Sequence, residues 1–177
     1  MKRVICILEN GFEEIEVIAP VDLLRRAGVE VVMAGVSSLD VVGRSGIQVR
    51  ADVRFEDVNA RDFEMLFLPG GPAVMELRKN PQVLDLIRHY AAEGKIIAAI
   101  CAAPLLLKDA GILGGKVFTA HFSTQAELSA ETGERVAVDE NLITSLGAGT
   151  AVEFGLALIT KLQGEGIAAE VSKAIMA

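Results

Sequence analysis

Residues 95–104 read Lys95-Ile96-Ile97-Ala98-Ala99-Ile100-Cys101-Ala102-Ala103-Pro104, an apolar run that ends at a cysteine and continues into a proline-led segment. The run up to Ile100 is typical of a strand buried on both faces, and proline is tolerated in the first turn of a helix. The pattern therefore places Cys101 at a strand-to-helix turn, the local geometry of a nucleophile elbow. Backbone N–H groups at the helix start are expected to lower the pKa of its thiol.

The two cysteines of the chain are expected to behave differently. A buried, unreactive thiol is common for free cysteine, and the pattern alone leaves that alternative open for Cys101. Cys6 lies in the middle of the apolar run Val4–Leu8, where the unreactive alternative is favoured. Two cysteines in 177 residues do not make a disulfide framework, which favours a reducing, cytoplasmic location.

Strand-like runs alternate with helical patterns, which predicts an α/β fold with a mostly parallel sheet. We find no repeat or linker, so residues 1–177 are expected to form a single domain. The predicted strands cover residues 4–8, 29–34, 65–68, 95–100, 116–119, 136–138 and 142–145, with a small hairpin within 40–58. The predicted helices cover residues 13–27, 81–93, 102–110, a brief helix capped by Thr124-x-x-Glu127, a helix capped by Thr150-x-x-Glu153 that runs to Leu162, and a last helix from 166 or 167 to the end.

Composition excludes several kinds of partner. The chain has a net charge of −7 and no cluster of Lys and Arg, which disfavours nucleic acids and membrane surfaces. The opening apolar run ends at Glu9 without a small-residue cleavage site, so it is expected to be a strand and not a signal peptide. No stretch approaches the ~20 apolar residues of a membrane span.

A second loop is expected to share the sheet edge of Cys101. Pro69-Gly70-Gly71-Pro72 follows the strand at 65–68, and ligands of open parallel sheets bind beyond the carboxyl ends of the strands. Glycines let a backbone approach a ligand closely, so an N–H of this loop is expected to help the Ala102 N–H hold an oxyanion. Taken alone, the loop is equally consistent with a simple turn.

Glu16 and His121 are the candidate partners of the thiol. Glu13, Glu14 and Glu16 open the first helix, and the dipole and solvation explain the first two. A carboxyl beside a thiolate has its pKa raised, and its protonated form can donate to sulfur. His121 follows the predicted strand 116–119 and can pair with a cysteine, although a lone histidine is more often structural. His89 is expected on the surface.

Four segments resemble the ThiJ/PfpI superfamily, in particular its branch of the parkinsonism-associated deglycase (DJ-one) and YajL. They are Asn10-Gly11-Phe12-Glu13-Glu14-Ile15-Glu16, Leu68-Pro69-Gly70-Gly71, Ala98-Ala99-Ile100-Cys101-Ala102-Ala103-Pro104 and Ser145-Leu146-Gly147-Ala148-Gly149-Thr150. The resemblance covers essentially the whole chain, in order. It implies a flavodoxin-like three-layer sandwich, a homodimer and no metal or cofactor.

The resemblance also implies roles for individual residues. Glu16, Cys101 and His121 match the catalytic residues, and Gly71 and Ala102 match the oxyanion amides, with Gly70 beside them. Arg44 lies about one residue out of step with an arginine that reaches the partner subunit's site. The protease-like branch has histidine directly after its nucleophile, where this chain has Ala102, so a peptidase is disfavoured. Ala103 replaces the usual glycine of the elbow, which is expected only to tighten the turn.

The activity implied by the resemblance is that of a glyoxalase III or deglycase. The Cys101 thiolate would attack methylglyoxal, glyoxal or their early adducts, and Glu16 would move protons. The main alternative is a redox-responsive protein in which Cys101 forms a sulfinate stabilised by Glu16. A stress chaperone is a third hypothesis, and the sequence offers no support for a role in thiamine synthesis.

Overall fold

The computed structural model describes residues 1–129 and 132–177. In chain order the strands are β1 (Arg3–Leu8), β2 (Glu30–Gly35), β3 (Asp40–Val42), β4 (Gln48–Arg50), β5 (Val53–Arg54), β6 (Met65–Leu68), β7 (Ile96–Ile100), β8 (Val136–Asp139) and β9 (Leu142–Ser145). The helices are α1 (Glu14–Arg26), α2 (Val74–Leu77), α3 (Pro81–Ala92), α4 (Pro104–Asp109), α5 (Ala151–Gln163) and α6 (Glu165–Ala174). None of these helices is long and apolar enough to span a bilayer.

Seven strands form one sheet in the order β5-β2-β1-β6-β7-β9-β8. All neighbours pair in parallel except β8, which runs antiparallel to β9. The inner strands β2-β1-β6-β7-β9 follow the flavodoxin-like order, in which the chain steps outward from β1 first to one side and then to the other. The fold class predicted from the sequence is confirmed. The predicted hairpin is the separate antiparallel pair of β3 and β4.

Helices cover both faces of the sheet. Successive side chains of a strand point to opposite faces, so Val4, Cys6 and Leu8 pack beneath α1, α5 and α6. Ile5 and Ile7 pack on the other face, beneath α2, α3 and α4. The central strands are apolar at nearly every position because both of their faces are buried.

The strand predicted for Lys116–Thr119 is not formed. The Val117 N–H donates to Asp139 Oδ2 over 2.8 Å, and the Thr119 N–H donates to Thr144 Oγ1 over 2.9 Å. Side chains of β8 and β9 thus satisfy these backbone donors in place of a strand ladder.

Both predicted capping boxes are also wrong. The Thr124 hydroxyl donates to the His121 carbonyl, and this stretch forms only a short 3-10 helix, Phe122–Thr124. The helix after Thr150 is present, but the Thr150 hydroxyl bonds to the Gly147 backbone and Glu153 binds Arg135 instead. In both cases tertiary partners take the groups that a capping box would use.

Candidate active site

The candidate site lies at one edge of the sheet, where four parallel strands end. Cys101 follows β7, Gly70 follows β6, Glu16 lies in the first turn of α1 after β1, and Gly147 follows β9. Since these strands are adjacent and parallel, their carboxyl ends meet there. The topology alone therefore brings together residues that are more than 100 positions apart in sequence.

Cys101 occupies a strained turn. Its φ of 65° lies in the left-handed region, which residues other than glycine rarely adopt. The Cys101 N–H donates to the Ser145 carbonyl over 2.9 Å, and the Cys101 carbonyl accepts from the His121 N–H over 2.9 Å. These two bonds fix the backbone of the turn, and the Cys101 side chain is partly exposed. The strand, sharp turn and helix predicted around Cys101 are confirmed, although α4 begins only at Pro104.

Glu16 is buried next to this thiol, with 1% of its surface exposed. Its Oε2 accepts from the Gly70 N–H over 3.0 Å, and its own N–H donates to Glu13 Oε2 over 2.8 Å. Burial is the main cause that raises the pKa of Glu16, and the charge of Glu13 raises it as well. Contacts with Cys101, Gly70 and Ala148 lower it, and the net pKa is about 7. The direction of this shift is the predicted one, but its cause is not: loss of solvent raises the pKa, whereas the contact with Cys101 lowers it.

The predicted lowering of the Cys101 pKa is wrong. Burial and the nearby Glu16 carboxylate raise the pKa of the thiol to about 12. The backbone amides of Gly71 and Ala102 act in the opposite direction and favour the thiolate. Glu16 and Cys101 therefore titrate as a pair, and the first proton lost leaves one negative charge for both groups.

His121 lies close to Glu16 and Cys101, next to Gly147. A methyl group at Gly147 would lie 3.4 Å from His121 Cδ2, 3.6 Å from Glu16 Oε1 and 3.9 Å from Cys101 Sγ. All three predicted side chains thus converge on one point. The Ser123 N–H donates to His121 Nδ1 over 3.2 Å, which leaves the proton of a neutral ring on Nε2.

These side chains open into a cleft of about 500 Å³. Cys101, Glu16 and His121 line it together with Gly71, Ala102 and Arg44. Gly70 lies just beneath, against Glu16 and Cys101. Arg44 is exposed and lines the cleft of its own chain. Within the described residues, no group of three or more His, Cys, Asp or Glu side chains is arranged to hold a metal ion.

Two acidic residues and one glycine were not recognised from the sequence. Glu13 and Glu14 were expected to be solvated, but both are buried. Glu13 holds the amide of Glu16, and Glu14 Oε1 accepts from the Ser45 N–H over 2.8 Å. Gly147 lies within a segment that carried the family resemblance, but its position among the three reactive side chains depends on tertiary structure.

This fold and this geometry define a class of α/β proteins with a partly exposed cysteine at a strand-to-helix elbow. The chain belongs to the DJ-1/PfpI family, which residues 2–161 match.

Named relatives extend over almost the whole chain. Protein dj-1beta of Drosophila melanogaster is 37% identical over 99% of this chain and 97% of its own length. The glutathione-independent glyoxalase DJR-1.2 of Caenorhabditis elegans is 36% identical over 86% of this chain and 83% of its own length. Deglycase PfpI of Pyrococcus furiosus is 33% identical over 81% of this chain and 89% of its own length.

The structure is also similar to solved relatives. Oxidized DJ-1 of Toxoplasma gondii superposes with a TM-score of 0.95 at 31% identity, over 99% of this chain and 98% of the other. Two of these relatives are named as a glyoxalase and a deglycase, so the family includes enzymes.

Proposed function

We propose that this protein is a cysteine-dependent enzyme of the glyoxalase III/deglycase type, acting on methylglyoxal, glyoxal or their early adducts. The observation that carries the proposal is the buried Glu16 carboxyl, with its pKa raised to about 7, beside the Cys101 thiol at the base of an open cleft. A carboxyl that titrates near neutral pH can both donate and accept a proton during turnover. Residues 1–177 would act as one domain, with no metal or organic cofactor.

In the first step the Glu16 carboxylate takes the proton of the Cys101 thiol as the sulfur attacks the aldehyde carbon. The S–C bond forms as the carbonyl π bond breaks, and the oxygen takes the proton held by Glu16. The product is a hemithioacetal. The amides of Gly71 and Ala102, which already favour negative charge at the sulfur, would stabilise charge on the adjacent oxygen.

In the second step Glu16, now a carboxylate, removes the proton on the former aldehyde carbon and returns it to the neighbouring carbon, while the hydroxyl proton of the first oxygen passes to the second oxygen. The hemithioacetal becomes a thioester of a 2-hydroxy acid without an external oxidant. Water then cleaves the thioester and regenerates the thiol. The sum is addition of one water to methylglyoxal to give lactate.

His121 and Arg44 would bind the rest of the substrate. The Nε2–H of a neutral His121 is suited to donate to the second carbonyl oxygen while protons move between the carbons. Arg44, at the mouth of the cleft, would attract an anionic product or adduct.

The test is turnover of methylglyoxal by the wild type and by Cys101→Ser, with lactate measured directly. Lactate production that depends on Cys101 supports the proposal. Lactate formed equally by both proteins, or by neither, contradicts it.

A redox role is the second candidate, and one observation favours it. The similar Toxoplasma gondii protein was solved in an oxidized form. In this chain Cys101 is partly exposed, whereas Cys6 is fully buried and its pKa is raised by burial, so peroxide would meet Cys101 first. A protonated Glu16 would donate to one oxygen of a sulfinate.

We also propose a homodimer in the reducing cytoplasm. Ile15 and Ile18 on α1, with Val42 and Ile47 on the neighbouring hairpin, are apolar side chains between 44% and 57% exposed. Beside them Glu14 Oε2 is buried without a hydrogen-bond partner among the described residues, and a second copy could supply one. Ile47→Glu should then shift the sedimentation of the protein from dimer to monomer. Sedimentation of the wild type as a monomer would contradict the dimer.

A further inference from the structure

A cluster of ion pairs centred on Arg78 lies beside the cleft. Arg78 Nε and Nη2 donate to the two oxygens of Asp109 over 2.6 and 3.1 Å. Arg78 Nη1 and Nη2 donate to the two oxygens of Glu127 over 2.8 and 2.6 Å. Lys108 Nζ donates to Glu127 over 2.8 Å as well. One planar guanidinium thus donates paired hydrogen bonds to two carboxylates, and this geometry fixes the orientation of each carboxylate as well as its distance from Arg78.

The partners in this cluster come from the segments that carry the proposed chemistry. Arg78 directly follows α2, the helix after the Gly71 loop. Asp109 is the last residue of α4, the helix after Cys101. Glu127 belongs to residues 121–129, here called the His121 segment, which begins at His121. The guanidinium therefore joins the segments that present the amides, the thiol and the imidazole.

The same three segments form one wall of the cleft. The wall residues are Val74 and Met75 from α2, Leu105 from α4, and Ser123, Thr124 and Ala126 from the His121 segment. Beyond one short 3-10 helix, the His121 segment has no regular structure of its own. At the start of this segment the His121 N–H donates to the Cys101 carbonyl, and near its end Leu128 is buried. Glu127 lies between these two fixed points and lines the cleft.

This cluster differs from an ordinary surface ion pair. The side chains of Arg78, Asp109 and Glu127 are 17%, 23% and 38% exposed, whereas those of Arg26 and Asp22 on α1 are 50% and 53% exposed. Exposed pairs are screened and contribute little to structure. Hydrogen bonds from Arg78 and Lys108 lower the pKa of Glu127 to about 2, so Glu127 stays ionised in the neutral pH range of an assay.

We propose that Arg78 is a positioning residue, which sets the width of the cleft by holding the His121 segment against α2 and α4, and so limits the size of the molecule that reaches Cys101. This inference deepens the proposed function. It concerns access to the thiol, however, which is measurable without any turnover.

The experiment compares two alkylating reagents, iodoacetamide and the bulkier N-phenylmaleimide, with the modified residue identified by peptide mapping. The readout is the ratio of their rate constants at Cys101. Arg78→Met and Glu127→Gln should raise the relative rate of the bulky reagent roughly threefold or more, near the low end of coupling between contacting residues. Arg78→Lys should do the same, because an ammonium group cannot fork two carboxylates. Arg26→Met is the matched control and should keep the wild-type ratio.

An unchanged ratio in Glu127→Gln and Arg78→Lys would overturn the proposal, even if Arg78→Met fails to fold. Equal acceleration of both reagents, together with labelling of Cys6, would indicate general loosening of the fold and would also overturn it. A changed ratio in a protein that makes no lactate from methylglyoxal would support the role of Arg78 while rejecting the proposed activity.

Discussion

Replacing Gly70 with alanine tests whether the Glu16–Cys101 pair depends on close contact with the loop after β6. A methyl group at Gly70 would lie 2.5 Å from Glu16 Oε2 and 2.6 Å from Cys101 Cβ. Nonbonded carbon contacts are comfortable at about 3.5–4.0 Å, so the loop and the pair must separate by about 1 Å. The Ile100 carbonyl, 3.0 Å away, blocks a simple retreat of the new methyl.

Two magnitudes follow from this overlap. Displacing reacting groups by about 1 Å costs on the order of 100-fold in rate. Overpacking of a tight site costs about 1–3 kcal/mol of unfolding free energy. We therefore expect Gly70→Ala to stay folded, to melt at a lower temperature, and to lose about 100-fold in kcat/KM for methylglyoxal.

The assay pairs initial-rate kinetics and thermal melting with a matched control. Gly114→Ala adds the same methyl where no described atom lies within 4 Å, and it should leave activity unchanged. Gly70→Ala with kinetics close to wild type would refute the reasoning, since the pair would then tolerate the displacement. A lower melting temperature with full activity would refute it equally, because the strain would be relieved away from the site.

Further predictions concern the four titratable groups in and below the site. Native iodoacetamide labelling should modify Cys101 well before Cys6, and preferential labelling of Cys6 would contradict the elbow assignment. The labelling rate of Cys101 should rise with pH through about 7, where the pKa of Glu16 lies, and then level off. Glu16→Gln should abolish most turnover while His121→Ala retains measurable activity, and equal losses would indicate a true Cys-His pair. Folding raises the pKa of Glu16 from 4.5 to about 7. The contribution of this carboxyl to the free energy of unfolding is therefore complete below pH 4.5 and is lost as the pH rises to 7. In urea titrations between pH 4.5 and 7, the free energy of unfolding of the wild type should therefore fall by about 3 kcal/mol relative to that of Glu16→Gln. If the free energies of unfolding of the two proteins change in parallel with pH, the raised pKa is contradicted. Under mild peroxide, intact-mass spectra should stop at the sulfinate on Cys101 in the wild type, but show little sulfinate or continue to the sulfonate in Glu16→Asp; identical spectra would remove the basis of the redox hypothesis.

The sheet could be predicted from sequence because its strands are buried on both faces. The apolar runs at β1, β6 and β7 have no competing periodicity, and their observed bounds lie within one residue of the predicted ones. The stretch Lys116–Thr119 has a similar composition, but its amides bond to Asp139 and Thr144. No local pattern reveals partners that lie more than 20 residues away.

The site was predictable in its residues and less so in its electrostatics. Cys101 was evident from the strand, the small residues and the proline around it. Its pKa was predicted in the wrong direction, because the helix dipole is visible in sequence whereas desolvation is not. The sequence predicts a solvated acid at Glu14, because the hairpin loop that buries it, around Ser45, is distant in sequence.

The left-handed backbone of Cys101 has a consequence for how this protein responds to selection. Such a conformation costs a residue with a side chain about 1–2 kcal/mol, whereas glycine adopts it freely. The nucleophile is therefore a position where the native residue lowers stability. A library of variants screened only for thermal stability should enrich glycine at position 101 and yield proteins that are more stable but inactive. Thermostability and reactivity are opposed at this residue, so any engineering campaign must select for both together.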